Sequence, residues 1–481
     1  MRPPKPSPAR YVLVALALSA IAYSASPTPT PVSAPKPNII YILADDLGYG
    51  DPGCYGQKKL KTPNIDRLAS EGMRFTQHYS GSTVCGPARS SLMEGLHTGH
   101  TAVRGNSSGQ LLRPETITLP EALKAAGYTT AIMGKWGIGE PPPLDDPLRH
   151  GFDFSYGYVN MYHAHNFFPE FLVRNGRREP LVGNVTDRTL GFEKMPDGTG
   201  VAKIKVTYAP NEIERETLAF LDAHRAGPFF LYVALNLPHN NGELAKTTGD
   251  GCEVPDYGEF ATRDWPQVER GFARMMQFAD LTVGRILDKV KELGLDENTL
   301  IVFSSDNGPY GGGGHNHEFF DSNGELRGYK RDLYEGGIRV PLLARWPGKI
   351  KPASTSTHVS AMWDLYPTFC ELTGAKTPGG LDGVSFAATL LGQGTQTRHD
   401  HLYWEFYEGV GSQAVRQGDW KAVRLNLANN KPEVFELYDL ATDLGESRNV
   451  AAANPEIALR LRALMTAAHR PHSISKFTKS P

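Results

Sequence analysis

Polar side chains follow several apolar, β-branched segments of this 481-residue chain. These segments alternate with helical patterns, which predicts a largely parallel sheet. They span residues 38–44, 128–133, 229–237 and 299–305. Ligands of open α/β sheets bind beyond the carboxyl ends of the strands. We therefore expect the residues that follow these strands to converge on one site: Asp45, Asp46, Lys135, His239, Asp306 and Asn307.

The two acidic pairs of this set suggest a metal site. Asp45 and Asp46 follow one strand, and Asp306 with Asn307 follows another. Together they offer only oxygen ligands, which favours Ca²⁺ first, with Mg²⁺ or Mn²⁺ as rivals. Zn²⁺ is less expected because the four residues include no His or Cys. The alternative is that the first pair caps helices and the second forms a turn.

A cysteine stands where a helix is predicted to begin. Residues 82–95 read STVCGPARSSLMEG, and Pro87 suits a first helical turn. Free N–H groups and the helix dipole would favour an anion at Cys85. The pattern therefore predicts a nucleophile of low pKa beside Arg89. The alternative is a buried, inert cysteine.

Composition narrows the class of protein. The net charge is −2, from 50 basic and 52 acidic residues, so nothing indicates a nucleic-acid partner. The 40% hydrophobic content argues against a disordered chain, a coiled coil or a small disulfide-stapled module. The four cysteines form no CxxC pair, so we expect one disulfide bridge at most.

The N-terminus is typical of an exported protein. Basic residues precede an apolar run over 11–22, which is shorter than the roughly 20 residues that span a bilayer. Small residues follow, which predicts a signal peptide over 1–24; a short membrane anchor is the alternative. Residues 25–36 form a proline-rich linker. No later segment is predicted to span a membrane, so we expect a periplasmic or extracellular protein.

The sequence also predicts helices between the strands and an insertion rich in aromatic residues. Helices are predicted over 62–71, with a Thr62 cap, and over 119–126 and 274–293. The segment 151–180 is rich in aromatic residues and suits a sugar-binding cleft, although a packed aromatic lid would show the same composition. Its candidate substrate contacts are His163, His165 and Asn166, with His315 as a further candidate.

Several segments together resemble one family. Cys85-Gly86-Pro87-Ala88-Arg89 matches the C-x-P-[SA]-R signature of type I sulfatases, formylglycine-dependent members of the alkaline phosphatase superfamily. Further segments resemble this family in its own order, from Pro37 to Ala451. They include PNIIYILADDLGYGD (37–51), GYTTAIMGKW (127–136), SSDNG (304–308) and LRGYKRDLYEGGIRVPLLARWPG (326–348).

The resemblance implies a role for each motif residue. Cys85 would be oxidised to Cα-formylglycine by a formylglycine-generating enzyme, and Arg89 would orient it. Lys135 and Lys330 would bind sulfate oxygens, and His239 would face the ester oxygen and protonate the leaving group. The implied ligands of Ca²⁺, with Mg²⁺ as the other choice, are Asp45, Asp46, residue 85, Asp306 and Asn307.

One position departs from the family pattern. Gly137 stands where the family often has the histidine that hydrogen-bonds the formylglycine hydroxyl. His315, His317 or water are the candidate replacements. The resemblance thus leaves the identity of one proton-handling group open.

We expect an enzyme that hydrolyses sulfate esters, with a sulfated small molecule or saccharide as substrate. The alternatives are a phosphodiesterase or phosphonate monoester hydrolase of the same superfamily, and an inactive glycan-binding relative. The expected fold is an α/β domain over 37–394, with a large, mostly parallel mixed sheet flanked by helices. A smaller C-terminal α+β domain over 395–481 would contain strands at 415–424 and 434–438 and a last helix beginning near Asn454.

Overall fold

The computed structural model describes residues 1–6, 8, 36–106, 110–139, 145–158, 160–474 and 477. The chain divides into two units, Met1–Pro35 and Lys36–Pro481, and the description below concerns the second. Apart from 1–6, 8 and 36, the predicted signal peptide and linker lie outside the described residues. None of the helices in the described ranges combines the length and apolar character that a bilayer crossing requires.

Strands and helices alternate along the described part of the chain. The strands are β1 (Asn38–Asp45), β2 (Met73–Phe75), β3 (His78–Tyr79), β4 (Thr129–Lys135), β5 (Phe154–Tyr158), β6 (Phe171–Arg174), β7 (Arg177–Pro180), β8 (Val185–Thr186), β9 (Ala202–Ile204), β10 (Phe229–Pro238), β11 (Thr299–Ser305), β12 (Leu342–Arg345), β13 (Ser354–Ser356), β14 (Ser360–Ala361), β15 (Leu402–Phe406), β16 (Ser412–Gln417), β17 (Trp420–Leu425) and β18 (Val434–Asp439). The α-helices are α1 (Pro63–Ser70), α2 (Cys85–Glu94), α3 (Leu119–Ala125), α4 (Ala209–Ala223), α5 (Gly242–Thr248), α6 (Gln267–Glu292), α7 (Glu335–Ile338), α8 (Leu365–Thr373), α9 (Ala387–Leu391) and α10 (Pro455–Ala468).

A ten-stranded mixed sheet forms the centre, in the order β13-β2-β12-β11-β1-β10-β4-β5-β6-β7. The neighbours β11, β1, β10, β4 and β5 run parallel to one another. Strand β12 is antiparallel to both of its neighbours, and β6 is antiparallel to β5 and β7. The predicted α/β class with a mostly parallel sheet is therefore confirmed.

Helices cover both faces of this sheet. Ile40 and Ile42 of β1 belong to the core shared with α1, α4 and α6, whereas Ile39 and Tyr41 face the core shared with α2, α3 and α8. All eight residues of β1 are buried. Burial on both faces explains why the central strands read as continuous apolar runs. Burial of each large apolar side chain contributes about 1.5–3 kcal/mol to the free energy of unfolding.

The start of α1 is stabilised across the fold rather than locally. The side chain of Thr62, the predicted cap, accepts no bond from a backbone N–H of the helix. Its hydroxyl accepts from the Gly53 N–H at 2.8 Å and donates to the Asp66 carboxylate at 3.2 Å. A carboxylate oxygen of Asp280 on α6 instead accepts from the N–H groups of Asn64 and Ile65, both at 2.9 Å. The helix was predicted correctly, but its cap was not, because the capping residue lies 216 positions away.

Two further element boundaries differ from prediction. Helix α6 begins at Gln267, directly after Pro266 and before the apolar repeat that starts near Arg274. The predicted strand 415–424 is two strands, β16 and β17, since Gly418 adopts a φ of 59° and reverses the chain. The predictions of β1, β4, β10 and β11 are correct to within two residues.

Strands β15 to β18 form a separate antiparallel sheet near the C-terminus, which confirms the predicted smaller α+β part. Helix α10 packs on one face through Leu461 and Met465. The other face contacts Tyr79 and Val84, the residue before Cys85. The C-terminal sheet thus supports the segment that carries the candidate nucleophile. The boundary between 394 and 395 stays a prediction, because Lys36–Pro481 forms one compact unit.

Candidate active site

The four strand ends that the sequence singles out lie side by side. Strands β11, β1, β10 and β4 are consecutive parallel neighbours, so their carboxyl ends share one edge. Asp45 ends β1, Lys135 ends β4, and His239 directly follows β10. Asp306 and Asn307 follow β11. The predicted convergence is therefore present in the fold.

Helix α2 brings Cys85 and Arg89 to the same edge. Its ten residues are all buried, with Cys85 as the first. The Arg89 guanidinium donates to Asp306 Oδ2 at 2.8 Å and to the Lys135 carbonyl at 2.7 Å. It also donates to the Tyr232 hydroxyl at 3.3 Å. These bonds place a fully buried positive charge one helical turn from Cys85.

Two lysines contact the buried carboxylates. Lys135 Nζ lies 2.6 Å from Asp45 Oδ2. Lys330 comes from the loop before α7, and its Nζ lies 2.8 Å from Asp46 Oδ1. The same Lys330 atom lies 3.6 Å from the Cys85 sulfur. The ammonium groups therefore border the position where a substrate anion would meet residue 85.

The site balances three carboxylates against three cations. Burial raises the pKa of Asp45, but Lys135, His239, Arg89 and Lys330 together outweigh burial and hold the pKa well below its usual value. Burial also raises the pKa of Asp46, but Lys330 and His239 together lower it below its usual value. The pKa of Asp306 rises to about 7, first because of burial and then because of Asp45. The charges nearly cancel, so a cation and an anionic ester can enter together at a modest electrostatic cost.

The oxygen atoms at this edge fit a metal ion. Asp45 Oδ1 and Asn307 Oδ1 are buried and have no hydrogen-bond partner among the described residues. Asn307 Nδ2 donates to Asp46 Oδ1 at 2.7 Å, so its free oxygen is held in place. Ligand atoms of Asp45, Asp46, Cys85 and His239 lie within 4.8 Å of one another. Orphaned buried oxygens of this kind match a hard divalent cation.

The Cys85 thiol differs from the low-pKa nucleophile that the helix position predicts. Burial raises its pKa to about 11, and the nearby Lys135 and Lys330 only partly oppose this effect. The unmodified thiol is therefore not an activated thiolate, and the prediction of a low pKa is wrong. All four cysteines are free, so the single disulfide that the sequence allowed is not formed.

His239 contacts Lys330, and both residues line the open cleft. Its Nδ1 lies 2.6 Å from the Asn240 carbonyl oxygen, which suits an N–H donor. Its Nε2 lies 3.2 Å from Lys330 Nζ, which suits an acceptor. Burial lowers the pKa of His239 to about 3, although Asp46 opposes the shift. In this arrangement the proton between His239 Nε2 and Lys330 Nζ resides on Lys330.

A cavity of about 560 Å³ opens over Cys85, Lys330 and His239. His165 lines it and stacks on His239, with ring centroids 4.6 Å apart. The remaining lining residues are Gly105, Asn106, Met161, Tyr162, Asn240, Gly242, Tyr310, Arg331, Tyr407, Glu408, Gly409 and Ile474. A larger cavity of about 770 Å³ lies apart and contains none of the residues that the sequence singles out.

Three of the candidate substrate contacts do not reach this cavity. His163 is buried and its Nε2 bonds the Phe171 carbonyl. Asn166 is buried and accepts from the Phe168 N–H. His315 stacks on Phe272 at 3.9 Å and its Nδ1 bonds a Glu269 carboxylate oxygen at 2.7 Å. The aromatic insertion packs His163 and Asn166 inward, and His315 packs against α6. Of the four candidates, His165 is the one that lines the cleft.

Gly137 has a structural reason to lack a side chain. Its φ is 67°, and a Cβ there would lie 3.0 Å from Arg89 Cδ and 3.3 Å from Lys135 Cε. A histidine at this position would strain the backbone and crowd two site cations. Neither His315 nor His317 lines the cleft, so the structure supplies no direct replacement from that loop.

Asn106 is a site residue that the sequence did not single out. Its side-chain oxygen accepts from the Gly86 N–H at 3.0 Å, next to Cys85. Its own N–H donates to Glu408 Oε1 at 2.7 Å. The Asn-Ser-Ser sequence there reads as a glycosylation acceptor, but the side chain is used inside the cleft. Only its distance from Cys85 in the fold reveals this role.

Comparison with known proteins gives the family. The Sulfatase family model matches residues 37–375, and the model of the N-sulphoglucosamine sulphohydrolase C-terminal region matches residues 317–469. The chain therefore belongs to the sulfatase family, and it is a sulfuric ester hydrolase.

Individual relatives cover nearly the whole chain. Arylsulfatase A of Homo sapiens is 33% identical over 90% of this chain and 87% of its own. The N-acetylgalactosamine-6-O-sulfatase of Bacteroides thetaiotaomicron is 27% identical over 90% of this chain and 93% of its own. A solved structure of Ps i-CgsB with k-i-k-neocarrahexaose has a TM-score of 0.75 at 27% identity, and it covers 92% of this chain and 95% of its own.

A phosphonate monoester hydrolase of Agrobacterium radiobacter also shares the architecture. Its TM-score is 0.63 at 20% identity, over 90% of this chain and 95% of its own. At that identity the likeness shows the fold alone. The phosphonate alternative therefore gains nothing beyond a common architecture.

Proposed function

We propose that the protein hydrolyses sulfate esters of carbohydrates in the cleft over Cys85, with Cys85 converted to formylglycine. The observation that carries the proposal is the position of Lys330, whose ammonium lies 3.6 Å from the residue 85 side chain. Lys135 and Arg89 add two buried cations at the same edge. A sulfate ester is anionic, and fixed positive charge at its oxygens stabilises the transition state of its hydrolysis.

The proposed metal is Ca²⁺, with Mg²⁺ as the rival, held by Asp45, Asp46, Asp306 and Asn307 together with residue 85. The unpartnered oxygens of Asp45 and Asn307 support this choice. Such an ion would supply positive charge to the sulfate oxygens and would acidify a hydroxyl on residue 85. Arg89 holds Asp306 through two donated bonds and fixes the orientation of that carboxylate.

The modification explains how residue 85 can act as a nucleophile although the Cys85 thiol has a raised pKa. A hydrated formylglycine at position 85 would carry two hydroxyl groups, one to attack sulfur and the other to expel sulfate afterwards. Lys135 and Lys330 would bind the non-bridging sulfate oxygens during both steps. Asn106 holds the Gly86 N–H, which keeps the start of α2 in place beneath the substrate.

The leaving oxygen needs a proton, and the Lys330–His239 pair is the proposed source. His239 Nε2 and Lys330 Nζ face each other at 3.2 Å at the floor of the cavity. A general acid contributes about 10²–10⁴-fold in rate. His239, the proton donor that the resemblance implies, therefore acts with Lys330 in this proposal.

A carbohydrate is the proposed substrate class. Tyr162 and Tyr310 line the cavity and provide aromatic surface beside polar groups, which suits a pyranose. Relatives named for N-acetylgalactosamine 6-sulfate, and a relative solved with a neocarrahexaose, agree with a galactose or N-acetylgalactosamine sulfate. The chain is proposed to be exported, to the periplasm or outside the cell, and to require a formylglycine-generating enzyme for maturation.

The test combines a mass measurement with sulfate release. The peptide that contains residue 85 should be lighter than its cysteine form and should react with a hydrazine probe. The same preparation should release sulfate from nitrophenyl sulfate and from defined sulfated saccharides, and Cys85→Ala should abolish both activities. Full activity with an unmodified Cys85 in material from the native host would overturn the mechanism, whereas phosphonate ester cleavage without sulfate release would favour the alternative.

A further inference from the structure

Arg331 lines the outer part of the cleft, here called the mouth, together with Glu408, and it has an unusual backbone conformation. It directly follows Lys330 and adopts a φ of 83°, a conformation that side-chain-bearing residues rarely take. Its N–H donates to the Thr83 carbonyl at 3.0 Å and to the Thr83 hydroxyl at 2.8 Å. Backbone strain that is held in place by such bonds concentrates at functional sites. The strained turn directs the Arg331 side chain to the cavity wall.

Glu408 meets Arg331 from the loop between β15 and β16. One carboxylate oxygen accepts from Arg331 Nη2 at 2.6 Å, and the other accepts from the Asn106 N–H at 2.7 Å. The Arg331 and Glu408 side chains are 48% and 26% exposed, so a ligand in the cavity can reach both. Asn106 links this pair to the start of α2 through Gly86. The mouth is therefore coupled to residue 85 by fixed hydrogen bonds.

The chemistry of the pair differs from that of the cleft floor. Lys135 and Lys330 present cations for an anion, whereas Arg331 and Glu408 present a donor and an acceptor side by side. A sugar hydroxyl both donates and accepts, so two neighbouring hydroxyls match this pair. An anionic substituent at the same place would be attracted by the Arg331 guanidinium but repelled by the Glu408 carboxylate. The paired charges therefore favour an uncharged, hydroxyl-bearing part of a ligand.

We infer that Arg331 and Glu408 are specificity-determining residues, which bind hydroxyl groups of the sugar that carries the sulfate and disfavour a second anionic group on that sugar. The inference rests on the proposed function and names the part of the substrate that the mouth of the cleft recognises. Tyr162 and Tyr310 line the same cavity and provide the apolar surface for the ring.

The test compares three substrates: nitrophenyl sulfate, a monosulfated galactoside and the same galactoside with a second sulfate. Arg331→Ala should lower kcat/KM on the monosulfated galactoside by roughly 10–100-fold, mainly through KM. The reason is that the sugar hydroxyl loses the hydrogen-bond donor that Arg331 provides. The loss on nitrophenyl sulfate should be at least tenfold smaller. Glu408→Gln should raise the ratio of disulfated to monosulfated turnover at least tenfold.

The control is Arg188→Ala, which breaks an exposed Arg–Glu pair with Glu170 away from the cavity and should change none of these ratios. Equal losses on all three substrates in Arg331→Ala would overturn the inference and assign the pair a role in supporting Lys330. A wild-type preference for the disulfated galactoside that Arg331→Ala removes would overturn it in favour of an anion subsite. Absence of sulfate release from all three substrates by the modified wild type would overturn the proposed function, and the inference with it.

Discussion

The Lys330 ammonium lies 3.6 Å from the Cys85 sulfur while it contacts both carboxylate oxygens of Asp46, at 2.8 and 2.9 Å. This position requires the loop before α7 to cross the carboxyl edge of the sheet. It places a buried cation between the candidate nucleophile and a candidate metal ligand. The contact joins residues that are 245 positions apart in the chain.

Loss of Lys330 should therefore affect the reaction more than the fold. Lys330→Ala should lower kcat/KM for sulfate esters by about 10²–10³-fold, because a preorganised charge at the transition state is lost. Lys330→Arg keeps the charge and should lose less. Steady-state kinetics with nitrophenyl sulfate measures both. The exposed Lys349→Ala is the matched control, and a similar loss in that variant would show that the effect is not specific to the site.

Metal content should depend on the oxygen ligands at the strand ends. Asp306→Ala should lose bound Ca²⁺ and activity, since it removes a proposed ligand and the partner of Arg89. Elemental analysis of the purified protein measures the ion directly, and chelation followed by Ca²⁺ should abolish and then restore turnover. Zn²⁺ at full occupancy without Ca²⁺ would contradict the oxygen-ligand argument.

A second cluster provides the control for the metal measurement. His97, His100 and Asp382 also bring ligand atoms within 4.8 Å of one another. However, His97 Nδ1 accepts from the Gly99 N–H, so its Nε2 carries the proton and has no lone pair for a metal. Asp382→Asn should therefore leave the metal content per folded protein at the wild-type value.

His239→Ala should affect substrates according to their leaving groups. A sugar alcohol needs a proton as it departs, whereas nitrophenolate hardly does. The loss in kcat/KM should therefore be much larger for a sulfated saccharide than for nitrophenyl sulfate. His315→Ala is the matched control, because His315 packs on Phe272 away from the cavity and should leave the ratio unchanged. Equal losses on both substrates in His239→Ala would mean that His239 binds sulfate instead.

A buried carboxylate pair should make stability depend on pH. Glu446 and Glu335 share Lys421, at 3.0 and 2.9 Å, with all three side chains inaccessible to solvent. Burial raises the pKa of Glu446 from its usual 4.5 to about 7, and Glu335 adds to the increase. The folded protein thus holds an extra proton between about pH 4.5 and 7, so this group lowers the free energy of unfolding as pH rises through that window.

Glu446→Gln should remove this contribution to the pH dependence. The melting temperature of the wild type should fall between pH 5 and 8, and that of the variant should fall less over the same range. The exposed Glu456→Gln should follow the wild-type profile. Parallel curves for the wild type and Glu446→Gln would show that Glu446 is already ionised throughout this range.

The polar residues of the candidate site could be predicted from the sequence because two general rules depend only on residues close together in the chain. Continuous apolar runs identify buried parallel strands, and the residues after such strands share one edge. Asp45, Lys135, His239 and Asp306 could therefore be placed together from the order of the residues alone. The motif around Cys85 then connected a helix start to this edge through a family resemblance.

Side-chain environments could not be predicted in the same way. The aromatic segment contained three equally suitable polar residues, yet only His165 reaches the cleft while His163 and Asn166 are packed inward. The helix position of Cys85 suggested a low pKa, but burial raised it to about 11. In both cases the outcome depends on which neighbours surround the side chain, and periodicity does not contain that information.

The sequence by itself determined where the central strands lie along the chain, the charged residues at their ends and the helix that begins at Cys85. The tertiary structure decided which distant groups complete them: Asp280 at the start of α1, Asn106 at Gly86, and the contact of Glu408 with Arg331. The physical reason is the range of the interactions. Strand and helix patterns come from neighbours a few positions apart, whereas a cap, a charge pair or a cleft wall needs atoms that only folding brings within bonding distance.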